Sequence, residues 1–368
     1  MKLFTIPIRV AIVGSLAGIL HAKDPVLTTP GTATWTTEAT ATGTRTVFTL
    51  TKDTVLDWEQ LDLKSGSEMV FHFTDGKTVV NFLSGSRTHL IDGAVTSNGI
   101  VAFFSPTADL EVNGSIIAKG VTLSTLNSDA ADFSDGNGYK MSGKGGFSFL
   151  TVNGRVEASG GDVVLAGERV IVGDTAQILA SQDVLIGGGR EISVAAAGER
   201  RLKEESGFGF VLHLGETRAS RIEVAAGREI SNQGSLNVGK GRIFLEVGDG
   251  GLITNESSGV IVGNAVFEGK YDPQGTVLLP DEGDAAPAVN EATLTLPKLT
   301  RPDGTKVNAA PQTMKYTVPM SATGDAKRDS SPTERADKRM AQNDNSKSLL
   351  QRSSFFGMRG GNTALAKR

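Results

Sequence analysis

The sequence predicts an all-β protein, built as a right-handed single-stranded parallel β-helix with small antiparallel cap and hairpin excursions. Short apolar runs bounded by Gly, Asn, Asp or Ser are the first observation, and a repeat of about 20 residues is the second. The third is composition, with 45 Gly and only 6% aromatic residues in 368. A single coil of short strands cannot bury its Val, Ile and Leu side chains, whereas stacked coils share one core. We therefore expect little helix.

The N-terminus has the layout of a signal peptide. Lys2 and Arg9 form a basic region ahead of the apolar run Val10–Leu20, and the small residue Ala22 stands before the polar Lys23. The run is too short to cross a bilayer, so we expect residues 1–22 to be cleaved after export. No later stretch approaches about 18 apolar residues, and no transmembrane span is expected in the mature protein.

Net charge and cysteine content narrow the expected partners of the protein and the source of its stability. Loss of two cations with the leader, Lys2 and Arg9, takes the formal net charge from −4 to −6. An acidic chain gives no reason to expect nucleic acid as a partner. An exported protein could form disulfides, yet the chain has no Cys, so its stability must come from packing and strand ladders.

Repeated sequence units define the body of the molecule. Val112–Ile116 (VNGSI) recurs as Val152–Val156 (VNGRV), and Gly161–Leu165 is echoed at Asp183–Ile186. The repeat of about 20 residues predicts one coil of the helix for each repeat. We therefore assign a β-helix domain to residues 23–270. A β-sandwich of hairpins is the alternative, and it would be expected to show two-residue Asn-Gly or Asp-Gly turns between alternating strands.

Three segments depart from the repeat. Residues 197–224 are charged and predict a loop or hairpin that protrudes from the helix. Residues 271–324 predict an extended Pro-containing segment. Residues 325–368 carry ten Lys or Arg against five Asp or Glu, with too few apolar residues for a core, and predict a disordered basic tail.

Three acidic residues are the first candidates for a functional site. Asp129, Asp132 and Asp135 could form a Ca²⁺ loop or the paired carboxylates of a glycosidase. Their spacing does not match an EF-hand, and Asp and Asn are favoured in turns for backbone reasons, so we interpret them as a structural turn.

Other polar and glycine motifs fit a structural interpretation better than a catalytic one. His72, His89 and His213 lie in strand-like runs without the spacing of a metal site or catalytic triad. Gly187–Gly189 lacks the context of a nucleotide-binding loop and predicts a coil corner, and Trp58 is expected to pack near the N-terminal end. We therefore predict no catalytic, metal-binding or cofactor-binding residues.

Several motifs occur in order between residues 45 and 195. They are DWEQLDL at Asp57–Leu63, VNF at Val80–Phe82, the block Leu90–Asn127, and Gly154–Ala180. In this order they resemble the N-terminal secretion domain of the filamentous-haemagglutinin family, whose members are exported by two-partner secretion. This resemblance implies a partner, an outer-membrane barrel transporter with periplasmic recognition domains, which would bind the extended chain by strand addition.

The resemblance also implies a motif for transporter recognition or folding. We assign it to six turn residues, Asn98, Gly99, Ser105, Pro106, Asn113 and Gly114. One departure lies within this motif, since Ser105–Ala108 (SPTA) stands where the family has an Asn-Pro-Asn-Gly turn. An upstream Asn-Pro-Asn-Leu element is missing from the sequence as well.

These observations predict an adhesin-like exoprotein that is secreted or held at the cell surface and acts by binding or structure rather than catalysis. A cell-surface glycan or a host or matrix surface is the expected contact. Parallel β-helices also include polysaccharide lyases and glycoside hydrolases, so a carbohydrate-active enzyme is the alternative. A periplasmic or surface-assembly protein that has lost its transporter is the third hypothesis.

Overall fold

The computed structural model describes residues 24–279 except 29–30, 131–132, 134–137, 144 and 146, together with the backbone of four short strands between 289 and 317. The predicted leader, residues 1–22, and the predicted basic tail, residues 325–368, lie outside the described residues. Within the described residues no helix is long and apolar enough to cross a membrane.

The N-terminal part begins with antiparallel pairing and then enters parallel coils. Val26–Leu27 pairs antiparallel with Thr54–Trp58, and Ala33–Ala39 pairs antiparallel with Thr44–Leu50. Both pairings occupy strand edges of the first coil that would otherwise be unpaired. The strands of this part are β1 (Val26–Leu27), β2 (Ala33–Ala39), β3 (Thr44–Leu50), β4 (Thr54–Trp58), β5 (Asp62–Leu63), β6 (Glu68–Phe73), β7 (Thr78–Leu83), β8 (His89–Ile91), β9 (Ala94–Ser97), β10 (Ile100–Phe104), β11 (Leu110–Val112), β12 (Ser115–Ala118) and β13 (Gly120–Ser124).

The middle part continues the coils and adds an antiparallel sheet outside them. Its strands are β14 (Gly138–Ser142), β15 (Phe149–Val152), β16 (Arg155–Ala158), β17 (Val163–Gly167), β18 (Arg169–Val172), β19 (Gln177–Ala180), β20 (Asp183–Gly188), β21 (Glu191–Ala195) and β22 (Leu202–Glu204). Strand β21 pairs antiparallel with both β14 and β22.

The C-terminal part returns to regular coils. Its strands are β23 (Phe210–His213), β24 (Glu216–Arg218), β25 (Arg221–Ala226), β26 (Glu229–Asn232), β27 (Ser235–Val247), β28 (Leu252–Asn255), β29 (Val260–Glu268), β30 (Lys270–Pro273) and β31 (Thr276–Leu278). Two antiparallel strand pairs follow, of which only the backbone is described. Strand β32 (Val289–Leu294) pairs with β35 (Gln312–Thr317), and β33 (Leu299–Thr300) pairs with β34 (Lys306–Val307).

Each coil supplies strands to three parallel columns in a fixed order. Strands such as β9, β12 and β16 form the first column, β10, β13 and β17 the second, and β11, β15 and β18 the third. The third column is the nine-stranded sheet, with one strand from each of nine coils, and the first two columns form most of the 19-stranded sheet. This arrangement confirms the predicted parallel β-helix.

The strand register confirms the sequence repeats residue by residue. Ile116 of VNGSI lies opposite Val156 of VNGRV, and Val156 lies opposite Ile178. Equivalent aliphatic side chains therefore stack along the helix axis. They form one continuous buried cluster that extends from Ala33 to Ile261.

The second column differs from the others because it is buried on both faces. Strand β12 alternates buried and half-buried residues, whereas every residue of β17 and β20 is buried. The antiparallel sheet β14–β21–β22 lies over the outer face of this column, and a second apolar cluster fills the space between them. That cluster includes Phe104, Leu126, Met141, Val164, Leu185, Ile192, Val194 and Leu202. Burial on both faces accounts for the unbroken apolar runs in these strands.

The predicted excursion at residues 197–224 is wrong in its boundaries. The hairpin consists of β21 and β22, so it begins at Glu191, and the chain has rejoined the third column by Phe210. The charged stretch concealed this return, because only alternate residues of a coil strand point inward. Val211 and Ile222 occupy inward positions and are almost fully buried.

Candidate functional site: coil-turn motifs and the hairpin face

Asn98 and Gly99 fasten one coil to the coil before it. The Asn98 side chain accepts a hydrogen bond from Phe73 N at 2.8 Å and donates one to Phe73 O at 3.0 Å. A Cβ on Gly99 would lie 2.6 Å from both Lys77 O and the Phe73 ring, so only glycine fits without a shift. This Asn-Gly pair therefore sets the distance between neighbouring coils at the first corner.

The Ser105–Ala108 turn is held by side-chain hydroxyl groups. Ser105 is fully buried, and its Oγ donates to Ala108 O at 2.8 Å. Thr107 Oγ1 donates to Gly85 O in the preceding coil at 2.9 Å. Pro106 occupies a turn position where no backbone N–H is needed. Two hydroxyl groups thus close the turn at the place where the filamentous-haemagglutinin family has Asn-Pro-Asn-Gly.

Asn113 and Gly114 belong to a column of equivalent turns, in which Asp92-Gly93 precedes them and Asn153-Gly154 follows. Asn113 Nδ2 donates to Asp92 Oδ1 at 2.8 Å, and Asn153 Nδ2 donates to Asn113 Oδ1 at 2.9 Å. A Cβ on Gly114 would lie 1.9 Å from Gly93 O. The six motif residues thus stand at three different corners of the coil, and the structure does not gather them into one surface patch.

A charged network holds the hairpin β21–β22 against the second column. Arg201 Nη1 lies 2.8 Å from a carboxylate oxygen of both Asp162 and Asp183. The buried Glu223 carboxylate accepts hydrogen bonds from Leu202 N at 2.8 Å and Arg201 N at 2.9 Å. Arg221 also pairs with Asp183. Each of these carboxylates already accepts protein donors, so the network anchors the hairpin.

Beside this network lies a cavity of about 740 Å³. Its lining includes Tyr139 and Lys140 from β14, and Arg200 and Lys203 from the hairpin, with Glu246 at one side. Burial raises the pKa of Tyr139 to about 12, so its phenol stays protonated at neutral pH. Sequence reasoning missed this cavity, because its walls come from chain segments that are about 50 residues apart and pair only in the folded state.

The candidate metal-binding aspartates are only partly described, since Asp132 and Asp135 lie outside the described residues. Among the residues that the structure describes, no group of three or more His, Asp or Glu side chains could hold a metal ion.

The three histidines outside the predicted leader occupy different environments. His72 is exposed, whereas His89 and His213 are buried in the core. His89 Nδ1 accepts a hydrogen bond from Leu61 N at 3.1 Å, so its proton resides on Nε2. The hydrogen-bond partners of these two buried rings do not form a catalytic triad with them.

His213 starts an interior ladder of polar side chains. Asn232 Nδ2 donates to Asn255 Oδ1 at 2.8 Å, which leaves Asn232 Oδ1 to accept from His213 Nδ1 at 2.8 Å. His213 Nε2 then accepts from Thr217 Oγ1, also at 2.8 Å. Successive coils thus satisfy their buried polar groups with one another, as buried polar groups require.

This ladder predicts that acid destabilises the protein. Burial lowers the pKa of His213 from 6.5 to about 4, so the folded state favours the neutral ring. The stabilisation is complete above pH 6.5 and is lost as pH falls towards 4, by about 3 kcal/mol in the free energy of unfolding. We expect the urea midpoint to fall between pH 7 and pH 4.5, and to fall less in His213→Gln. His72→Gln should retain the wild-type pH dependence. An identical pH dependence in wild type and His213→Gln would contradict the assignment.

Comparisons with known proteins place this geometry in context. No family model matches the sequence, and no curated protein matches it. Among solved structures, the HMW1 secretion domain from Haemophilus influenzae has a TM-score of 0.50 and 15% sequence identity, over 69% of this chain and 82% of that domain. The filamentous hemagglutinin secretion domain has a TM-score of 0.49 and 13% identity, over 72% of this chain and 98% of that domain. The fold of this chain is thus the parallel β-helix seen in the HMW1 secretion domain.

Proposed function

We propose that the chain is a two-partner secretion exoprotein, exported through an outer-membrane barrel transporter and released or held at the cell surface. The observation that carries this proposal is the correspondence of the described coils to 82% of a domain whose own role is secretion. The leader-like N-terminus and the ordered motifs between residues 45 and 195 support it from the sequence.

The construction of the coils is consistent with export in an extended form. The chain has no Cys, so no disulfide crosslinks a loop before transport. Most long-range contacts join one coil to the next, as β10 joins β7 and β13. A solenoid of this kind can fold coil by coil outside the cell, after a transporter has bound the unfolded strands by strand addition.

The six turn residues are proposed to act at this folding step and in recognition by the transporter. Asn98 joins its own coil to Phe73 through both main-chain polar groups of that residue. Asn113 and Gly114 act at the third corner, where the close approach of two coils requires a residue without a side chain. In the extended chain these contacts are absent, so the same side chains are available to a transporter.

We propose that the exported protein acts by binding. A polysaccharide-cleaving enzyme on this fold would need carboxylates that are available to a substrate beside Lys or Arg. The carboxylates of Asp162, Asp183 and Glu223 stand beside Arg201, but each accepts hydrogen bonds from the hairpin or from a neighbouring arginine. Their engagement favours an anchoring role at this place.

Export is tested by fractionation of bacterial cells that carry the chain with or without a transporter of the two-partner type. We expect the protein in the medium or on the cell surface when the transporter is present, and trapped in the periplasm when it is absent. Surface delivery that does not depend on the transporter would overturn the proposal.

A pair of variants in the same assay tests the turn motif. Asn98→Ala removes two hydrogen bonds between coils, and we expect a smaller exported fraction. Asn264→Ala is the matched control, since Asn264 donates to Lys240 O at 3.2 Å in a coil far from the motif. Equal export of the two variants would remove Asn98 from the proposed motif while leaving the transporter route in place.

A further inference from the structure

A group of aromatic and arginine side chains lies on the outer face of the third column. We call it the aromatic–arginine cluster, and its members are Phe147, Phe149, Arg169, Arg190, Phe208 and Phe210. None of these residues belongs to the turn motif or to the charged network beneath the hairpin. The cluster is half-buried to exposed, so its side chains are accessible from solvent.

Strand register builds the centre of the cluster. Phe149 lies opposite Arg169, and Arg169 lies opposite Phe210, in three successive coils. Their neighbours Leu150, Val170 and Val211 point into the core, so these three residues point outward. The strands that carry Phe149 and Phe210 are separated by one coil, about 10 Å along the helix axis, but the two rings lean towards each other, with centroids 6.4 Å apart in an edge-to-face arrangement.

Arg169 lies among three rings. Its Cζ is 4.9 Å from the ring centroids of both Phe147 and Phe149, and 6.0 Å from that of Phe210. Arg190 lies over the other edge of the cluster, with Cζ 4.6 Å from the Phe208 centroid. Rings and guanidinium groups thus alternate across one surface, and the ring faces stabilise the positive charges of Arg169 and Arg190.

The guanidinium group of Arg169 retains donors that the protein does not use. Arg169 forms no ion pair or side-chain hydrogen bond with any residue that the structure describes, and Glu168 and Asp109 act on it only through their charges. The nearby carboxylates are already engaged, because Glu168 accepts from Phe147 N at 3.2 Å and Asp109 accepts from Phe149 N at 2.8 Å. Arg190 forms an ion pair with Glu168, with Nε 3.6 Å from the carboxylate, and this Nε is buried. Partial burial also lowers the pKa of Arg169.

Phe147 is held in place at a conformational cost. Its φ of 55° lies in the left-handed region, and it is the only residue other than glycine with a positive φ in the described part of the chain. Bulky residues seldom adopt this conformation. The ring nevertheless remains 42% exposed, so the strained backbone presents an aromatic surface to solvent. Such strain is concentrated at binding sites in many proteins.

We propose that the aromatic–arginine cluster binds an acidic saccharide, with a uronate carboxylate on the guanidinium of Arg169 and sugar rings against the phenylalanines. Arginine presents a planar fork of donors that matches a carboxylate. The proposal rests on the proposed function at the cell surface, and it adds the ligand class and its site.

Strand pairing favours a saccharide over an extended peptide. Strand β18 is paired on both sides, with β15 and with β23, so its main-chain donors and acceptors are occupied. A peptide strand added to a sheet needs a free edge. A ligand of this cluster must therefore bind through side chains alone, and a chain of sugar rings with regularly spaced carboxylates can run along the stacked coils.

The test is calorimetric titration of the purified full-length protein with a galacturonate hexamer and with its fully methyl-esterified form. We expect the acid to bind and the ester to bind at least about tenfold more weakly, because esterification removes the charged acceptor. Arg169→Ala should lower the affinity for the acid by about tenfold or more, and Arg169→Lys should lower it less. Arg155→Ala is the matched control, since Arg155 pairs with Glu157 at 2.6 Å in the first column.

Phe147→Leu provides a second variant at an exposed position, and it should weaken binding without changing the thermal midpoint. Equal affinity for acid and ester would overturn the proposal, as would unchanged binding by folded Arg169→Ala and Phe147→Leu. Such a result would leave the export proposal standing, because fractionation with and without the transporter measures delivery and not ligand affinity.

Discussion

Gly114→Ala is expected to destabilise the helix by roughly 3 kcal/mol or more, because the new methyl group has no space. A Cβ at this position would lie 1.9 Å from Gly93 O, and the next glycine of the column, Gly154, would place its own Cβ 1.8 Å from Gly114 O. The three atoms nearest the new methyl group, Gly93 O, Asp92 O and Asp92 C, all belong to the backbone of the preceding coil, so no side-chain movement can relieve the contact. Two coils would have to separate, which lengthens the ladder hydrogen bonds between them. Urea denaturation followed by circular dichroism measures the loss.

Gly160→Ala is the matched control for this substitution. Gly160 is exposed, and the atom nearest its added Cβ is Lys119 Cγ at 3.0 Å, in a flexible side chain that can move away. We expect its urea midpoint to remain close to that of the wild type. If Gly114→Ala were as stable as Gly160→Ala, the close contact between coils would not limit the choice of residue at this corner.

Phe103→Ala should cost about 3–5 kcal/mol in the free energy of unfolding, the usual range for a large aromatic residue removed from a core. Phe103 is fully buried in β10, between Asn81 of the coil before and Leu123 of the coil after. Regular ladders on both sides restrict how far the coils can collapse around the cavity. Chemical denaturation at neutral pH gives the magnitude.

Phe103→Leu keeps most of the side-chain volume and should lose clearly less stability than Phe103→Ala. A loss below 1 kcal/mol for Phe103→Ala would show that neighbouring coils close the cavity, contrary to the rigid stacking seen here.

The coils could be predicted from the sequence because their repeat is local and regular. The recurrence of Val-Asn-Gly at residues 112 and 152 predicted both the stacking of Ile116 on Val156 and the glycine corners. The predicted packing of Trp58 near the N-terminal end also agrees with the structure, since its ring is buried beside Phe48 and its Nε1 donates to Asn81.

The antiparallel sheet and the aromatic–arginine cluster could not be predicted in the same way. Strand β14 pairs with β21 across about 50 residues, and no repeat signals that pairing. The cluster joins Phe149, Arg169 and Phe210, whose spacing changes from coil to coil because the hairpin is inserted between two of them. Charge along residues 197–209 also obscured where the chain rejoins the coils.

The antiparallel pairing of β1 and β2 gives the molecule a direction. These strands seal the starting edge of the first two columns, so no further rung can be added on that side. Every later rung must assemble on the opposite edge, where the previous coil presents a row of free main-chain groups as a template. Growth is thus one-way, in the same order in which the residues follow one another along the polypeptide. A chain that emerges with its N-terminal end first would build each layer on one already complete, and each completed layer would oppose backward movement of the thread.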